Sequence, residues 1–254
     1  MIDAGASGLV LPALGAALGA ATGAFGATLA IRRAQGHPAV GGRSRCDGCQ
    51  RRLAVYETVP VLSFLAFRGR CRTCAQPIDR LHLWAELGGA VLLAGVLGLR
   101  PFPQSLIEAA LAAVLWILAL VDVRTRTLPN LVVAISAGFG AVMAWLNDDL
   151  GFNLVFAVAM TVLFGGLAFA MKRLRGRTML GLGDVKLIGA LSLWLGADMP
   201  LALIVACVLG LLQIVIRRGR AHFGDGAIAF GPPLVAGSLL IGLVVMPQFR
   251  LLEA

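Results

Sequence analysis

Gly181-Leu182-Gly183-Asp184-Val185-Lys186 places a carboxylate at the mouth of an apolar helix, and a second acid, Asp122, closes another apolar segment earlier in the chain. Around these two acids the chain is oil-soluble. Of its 254 residues 59% are apolar and only 14% charged, with a mean hydropathy of +0.87. A soluble domain of this size carries roughly a quarter charged residues. Apolar stretches of roughly 17–20 residues recur, long enough to cross a hydrocarbon core about 30 Å thick. The expected fold is an all-α polytopic membrane protein, helix packed on helix in lipid.

Working outward from the two acids, about eight transmembrane segments are expected, at 9–31, 83–99, 104–122, 129–146, 153–171, 184–196, 199–216 and 231–246, the sixth being short. Gly15, Gly19, Gly23 and Ala27 form a four-residue-spaced stripe on the first, which lets a neighbouring helix approach closely. Residues 32–80 change character completely: a polar insert with ten arginines and four cysteines, too short to fold on its own core without a staple. The expected division is therefore a first span at 1–31, a small cytoplasmic zinc-binding insert at 32–80 between spans one and two, and a seven-helix domain at 81–254 that carries both acids.

Charge fixes the expected orientation. A net charge of +9 would suit nucleic acid, but the basic residues fall in alternate loops, so no nucleic-acid partner is expected and the lipid bilayer is. With the insert cytoplasmic, alternation puts 123–128, 172–183 and 217–230 on the same side. Those four loops hold nineteen of the 22 lysines and arginines, and Lys186 at a helix mouth makes twenty; the other side has Arg100 and Arg250. So strong a bias fits eight spans with both termini periplasmic. No basic residue precedes the first apolar run, so a cleavable signal peptide is not expected. The same topology puts Asp122, ending an inward helix, and Asp184, starting an outward one, at one cytoplasmic face.

A charged side chain inside a span costs roughly 2.5–3.5 kcal/mol on insertion scales and is retained mainly where it works or is paired. Gly181 and Gly183 allow the backbone to open beside Asp184 and admit water, and Lys186 can snorkel to the interface. After Asp122 come Arg124, Arg126 and Leu128-Pro129-Asn130, the proline suited to a helix start. Two carboxylates sharing a site divide into a general base and a general acid. Such a pair suits attack of water on an amide. Glu86 and Glu108 are the other span acids; Glu86 is expected near the cytoplasmic mouth, able to meet a basic segment, and Glu108 at the outer interface.

Cys46-x-x-Cys49 and Cys71-x-x-Cys74 stand 21 residues apart, the pattern of a closed, four-sulfur structural Zn2+ site. A cytoplasmic location argues against disulfides. Cys207, mid-span, reads as a buried small hydrophobe.

These residues resemble the type 4 prepilin leader peptidases, intramembrane aspartic proteases with a Gly-x-Gly-Asp motif. The resemblance covers most of the chain, including Pro60-Val61-Leu62-Ser63, Arg68-Gly69-Arg70-Cys71, Glu86 and Phe230-Gly231-Pro232-Pro233. It implies that Asp122 and Asp184 are catalytic, with Gly181, Gly183, Lys186 and Glu86 in support. It further implies a bacterial inner-membrane enzyme acting at the cytoplasmic face on type IV prepilins or pseudopilins with a basic leader and an apolar helix. Relatives with such an insert also methylate the new amino terminus from S-adenosyl-L-methionine, and Glu57 and Gly69 match family positions within it. The end of span one departs from the family's Gly-Ser-Phe-Leu-Asn-Val-Val-x-x-Arg-Leu-Pro, reading Gly23-Ala24-Phe25-Gly26-Ala27-Thr28-Leu29-Ala30-Ile31-Arg32-Arg33-Ala34.

The rival from another class is an ion-coupled membrane transporter, which also keeps acids in its spans. It predicts acids near the midplane and inverted internal repeats, and neither is visible here. A metal-dependent scaffold without chemistry leaves both aspartate motifs unexplained.

Overall fold

Small residues decide how the first spans pack. A Cβ added at Gly19 would lie 2.0 Å from the Gly89 carbonyl oxygen, and one at Gly23 2.0 Å from that of Ala85. Only glycine admits backbones at that separation. In this computed structural model, residues 4–38, 41, 43–176, 180–218 and 229–245 are described. The helices in chain order are α1 (Ala4–Ala34), α2 (Leu62–Ala66), α3 (Arg80–Leu99), α4 (Gln104–Thr125), α5 (Asn130–Leu146), α6 (Leu150–Arg175), α7 (Leu182–Leu195), α8 (Met199–Arg218) and α9 (Gly231–Leu240), the last continued by a π-turn at Ile241–Val245.

Each of the eight expected spans is an apolar helix, and the polar insert lies between the first two. Among the described residues, five stretches are long and apolar enough to cross a membrane: Leu9–Ala34, Arg80–Leu99, Gln104–Thr125, Leu150–Arg175 and Leu182–Ile216, the last holding both α7 and α8. Asn130–Leu146 and Gly231–Val245 are shorter apolar helices. A 3₁₀ turn at Gly196–Asp198 separates α7 from α8. With 14 residues α7 is about 21 Å long, short of a full crossing, as its sequence suggests. Both chain ends, His222 and Arg250 lie outside the described residues.

The chain forms two compact units, Met1–Thr125 and Arg126–Ala254. In the first, α1 packs along α3 and α4. Leu29 and Ala30 of α1 meet Val121, and Ala27 meets Ala85 and Leu120, so the α1 end grips the end of α4. Gly19→Val and Gly23→Val should each lower the melting temperature of the purified protein in detergent by many degrees, since overpacking costs about 1–3 kcal/mol even where side chains can yield, and here backbone would have to move. Gly95→Ala, with open space around its Cβ, should melt like the parent. Equal melting of all three would remove the close-packed α1–α3 seam.

At the far end of α4 from Asp122 the structure corrects the sequence. Glu108 is not a solvent-wetted boundary acid: its carboxylate is buried and receives two bonds from Arg100, each 2.6 Å, from Nε and Nη2. Arg100 caps α3 and stands across a short turn from α4, so the pair clasps the hairpin. Truncating one partner strands the other charge, at about 3–5 kcal/mol. Glu108→Ala should therefore destabilise strongly in a thermal melt, whereas the double replacement of Arg100 and Glu108 by leucine should recover much of the loss. A double variant no more stable than Glu108→Ala would show that the clasp is not what the acid contributes.

In the second unit, α7 packs on α5 and α6, and α8 on α9. Buried Asn153 of α6 donates from Nδ2 to the Leu193 carbonyl (3.1 Å), satisfying the end of α7. Helix α6 ends in Lys172, Arg173 and Arg175 before Gly176 at φ 66, with cations at the negative helix end and a left-handed cap. Ala202 and Ala206 face Gly237 of α9, which rotates their neighbour Cys207 outward: it is exposed on α8, not buried as its mid-span position suggested.

Candidate active site and metal centre

Asp122 sits in the last turn of α4 and is 4% exposed. The residues before it, Leu118 to Val121, are buried, so the carboxylate is carried on the best-anchored part of the helix. One turn on, the Thr125 hydroxyl donates to the Val121 carbonyl (3.0 Å). Arg124 pairs with Asp79, whose other oxygen accepts from the Leu81 amide (2.8 Å) and so caps α3.

Asp184 lies in the first turn of α7, partly buried. Gly181 is the N-cap, in extended conformation, with its carbonyl accepting the first helical bond from the Val185 amide (3.2 Å). The Asp184 carboxylate folds back over that glycine: a Cβ at 181 would stand 3.0 Å from Oδ2. Gly183 packs against Leu128, whose Cβ is 3.3 Å from where its own would be. Lys186 is exposed, and its Nζ donates to Asn130 Oδ1 (3.1 Å). The Leu128-Pro129-Asn130 stretch that starts α5 thus braces the start of α7. Helix ends give the two acids opposite surroundings, Asp184 at a positive N-terminus and Asp122 near a negative C-terminus. Asp122 belongs to the first unit and Asp184 to the second.

The four insert cysteines come together, their sulfurs all within 4.8 Å of one another and Cys46 Sγ 3.6 Å from Cys74 Sγ. They arrive on two copies of one turn. In the first, the Cys46 amide donates to the Arg51 carbonyl, the Gln50 amide to the Cys46 carbonyl, and Arg45 bridges Arg52. In the second, Cys71 donates to Gln76, Ala75 to Cys71, and Arg70 bridges Pro77. Gln50 (φ 55) and Ala75 (φ 57) take the same left-handed position after each second cysteine. The amides of Cys74 and Thr73 bond to the Cys71 sulfur and hold its thiol at about 6, while burial, with Cys71 and Cys74 beside it, pushes Cys46 up to about 11. Four clustered thiols with one already acidic, and amides aimed at sulfur, are a donor set that fits a metal cation.

Sequence reasoning missed the residue that ties this cluster to its surroundings. Arg51 accepts the Cys46 amide on its backbone carbonyl and grips Glu57 through Nη1 and Nη2 (2.9 and 2.7 Å). Glu57 also accepts from the Ala54 amide (2.8 Å), and Arg51 beside it holds its carboxyl down at about 2. Gly69 takes φ 65 under the Phe64 ring, its amide bonding the Phe64 carbonyl (2.7 Å) to end α2. Both therefore have structural reasons to be what they are. The signal for Arg51 was the repeat itself, since the residue two beyond each second cysteine closes its turn. Glu86 is buried on α3 and accepts from the Val61 amide at 2.7 Å.

The described residues thus hold eight apolar helices, a four-thiol insert and a carboxylate at each of two helix mouths. A family model of the Bacterial Peptidase A24 N-terminal domain matches residues 17–98, and one of the Type IV leader peptidase family matches 109–215. The prepilin leader peptidase/N-methyltransferase of Burkholderia pseudomallei (strain K96243) is 33% identical over 83% of this chain and 70% of the relative. That of Aeromonas hydrophila is 33% identical over 77% and 69% respectively. The type 4 prepilin-like proteins leader peptide-processing enzyme of Escherichia coli O78:H11 is 31% identical over 78% and 74%. No solved structure matches the chain. The chain belongs to the type IV leader peptidase family.

Proposed function

We propose that this protein, a multi-pass enzyme of the bacterial inner membrane, cleaves the basic leader from type IV prepilins or pseudopilins and N-methylates the residue so exposed. Cleavage occurs at the cytoplasmic face, with both chain termini periplasmic; the loop charge bias supports that orientation. Asp122 and Asp184 are the catalytic pair. Asp184, at the positive end of α7, serves as the carboxylate that takes a proton from water, and Asp122, at the negative end of α4, protonates the scissile carbonyl oxygen. Gly181 leaves room for the Asp184 carboxylate, and Gly183, with the Lys186–Asn130 bond, fixes the mouth of α7 on α5. The observation that carries this function is that carboxylate folded over Gly181, in a chain of the leader peptidase family.

The metal is Zn2+, held by Cys46, Cys49, Cys71 and Cys74. Zinc–sulfur bonds of about 2.3 Å give a tetrahedron whose sulfurs stand roughly 3.8 Å apart, close to the 3.6 Å of Cys46 and Cys74. Four protein ligands would leave the metal no open position, so it would serve folding and not chemistry. Residues 32–80 support methyl transfer and 81–254 carry the peptidase. S-adenosyl-L-methionine supplies the methyl group when bound; with Glu57 and Gly69 engaged internally, no residue of this chain is assigned to hold it. Mass spectrometry of a co-expressed prepilin tests the whole proposal. The expected product has lost its leader and gained one methyl at its amino terminus; a substrate left at full length would refute it.

A further inference from the structure

We infer that the turn spanning residues 55–65 of the insert is an interfacial anchor, seated in the headgroup–acyl boundary of an anionic phospholipid leaflet and held at that depth by Glu86. The Val61 amide donates to Glu86 Oε2 at 2.7 Å. Glu86 is buried on α3, six residues beyond Arg80 and so about 9 Å along the helix axis. Trp84, half a turn nearer the start of α3, is 66% exposed, and outward-facing tryptophans on spanning helices sit at headgroup level. A backbone bonded to Glu86 therefore reaches the interface and does not stand in water above it.

The chemistry of the turn suits that depth. Val55, Tyr56, Val59, Leu62 and Leu65 are all exposed, and Leu62 and Leu65, three apart on α2, share a face. So many outward apolar side chains in one short polar insert need a partner. Arg72 donates to the Tyr56 hydroxyl (2.9 Å), and the Tyr56 ring lies 6.4 Å from that of Phe67, giving an apolar body with a polar, cationic edge. Arg68, Arg70 and Arg72 are exposed alongside. Apolar groups below and cations above are what an anionic leaflet attracts. Irregular backbone at membrane depth needs its amides satisfied by protein, and Glu86 does this for Val61. That bond also supports the φ of 62 at Val61, which a β-branched residue rarely adopts.

The experiment places the photoreactive amino acid benzoylphenylalanine at position 62, 65 or 91 of the full chain, in vesicles of phosphatidylglycerol and phosphatidylethanolamine. Val91, exposed on α3, is the lipid-facing reference. After irradiation, peptides bearing the probe are examined for adducts by mass spectrometry. Phospholipid adducts at 62 and 65, in yield comparable with 91, are expected. Labelling at 91 with only peptide–peptide adducts, or none, at 62 and 65 overturns the inference. Glu86→Leu should reduce the lipid adduct at 62 several-fold without changing that at 91, and Glu86→Gln, which keeps an acceptor for Val61, should restore it. An unchanged yield at 62 in Glu86→Leu would remove Glu86 from the anchor.

Discussion

Asp184→Asn and Asp122→Asn are each expected to reduce leader cleavage to background while leaving the protein inserted and folded. Asparagine keeps the size of the side chain and removes the proton traffic, so the loss isolates chemistry from packing. A single general acid or base typically contributes about 10²–10⁴-fold, and members of one proton relay are not additive. The double variant should therefore be no worse than either single one. Melting temperature and a pre-cleaved substrate serve as controls: both variants should melt near the parent and still methylate an amino terminus that is already free. Gly181→Ala tests the same site by a smaller step. Its methyl group would press on Asp184 Oδ2 at 3.0 Å, shifting the carboxylate and slowing cleavage, with less effect than deleting the charge. Wild-type cleavage rates in either Asn variant would dismiss the paired-aspartate mechanism, whatever became of methylation.

The parts of the molecule legible beforehand are those whose cause is local. Spans follow from apolar length, and all eight are helices. The four-thiol cluster follows from the spacing of Cys46, Cys49, Cys71 and Cys74, because each pair needs only one tight turn. What escaped needed a partner from elsewhere. Arg100 and Glu108 read separately as a loop charge and an interfacial acid; only the α3–α4 hairpin brings them to 2.6 Å. Cys207 faces outward because its neighbour Ala206 is already committed to Gly237, a choice of helix rotation that composition does not reveal. Glu57 and Gly69 drew notice through family likeness. Their surroundings instead show a carboxylate locked by Arg51 and a left-handed helix end. For the aspartates, sequence assigns a common membrane face through topology, and the structure adds what each touches: buried Val121 before one, bare Gly181 beneath the other.

Cys46→Ser or Cys71→Ser should release the metal and abolish methylation, yet leave cleavage within several-fold of the parent. Structural zinc contributes about 10–16 kcal/mol to the folding of small metal-dependent modules. Among its described residues the insert has little regular structure to replace it: one 3₁₀ turn, the five-residue α2 and two isolated bridges. Asp122, by contrast, is anchored through contacts of Val121 and Leu120 with α1 and α3 that owe nothing to the insert. Metal content by plasma mass spectrometry should fall with methylation, while prepilin shortening continues. Full zinc loading in a Cys46→Ser/Cys71→Ser double variant would defeat the four-sulfur site. Cleavage lost together with methylation, in a protein whose spans still melt normally, would mean that the insert serves the peptidase as well as the methyl transfer.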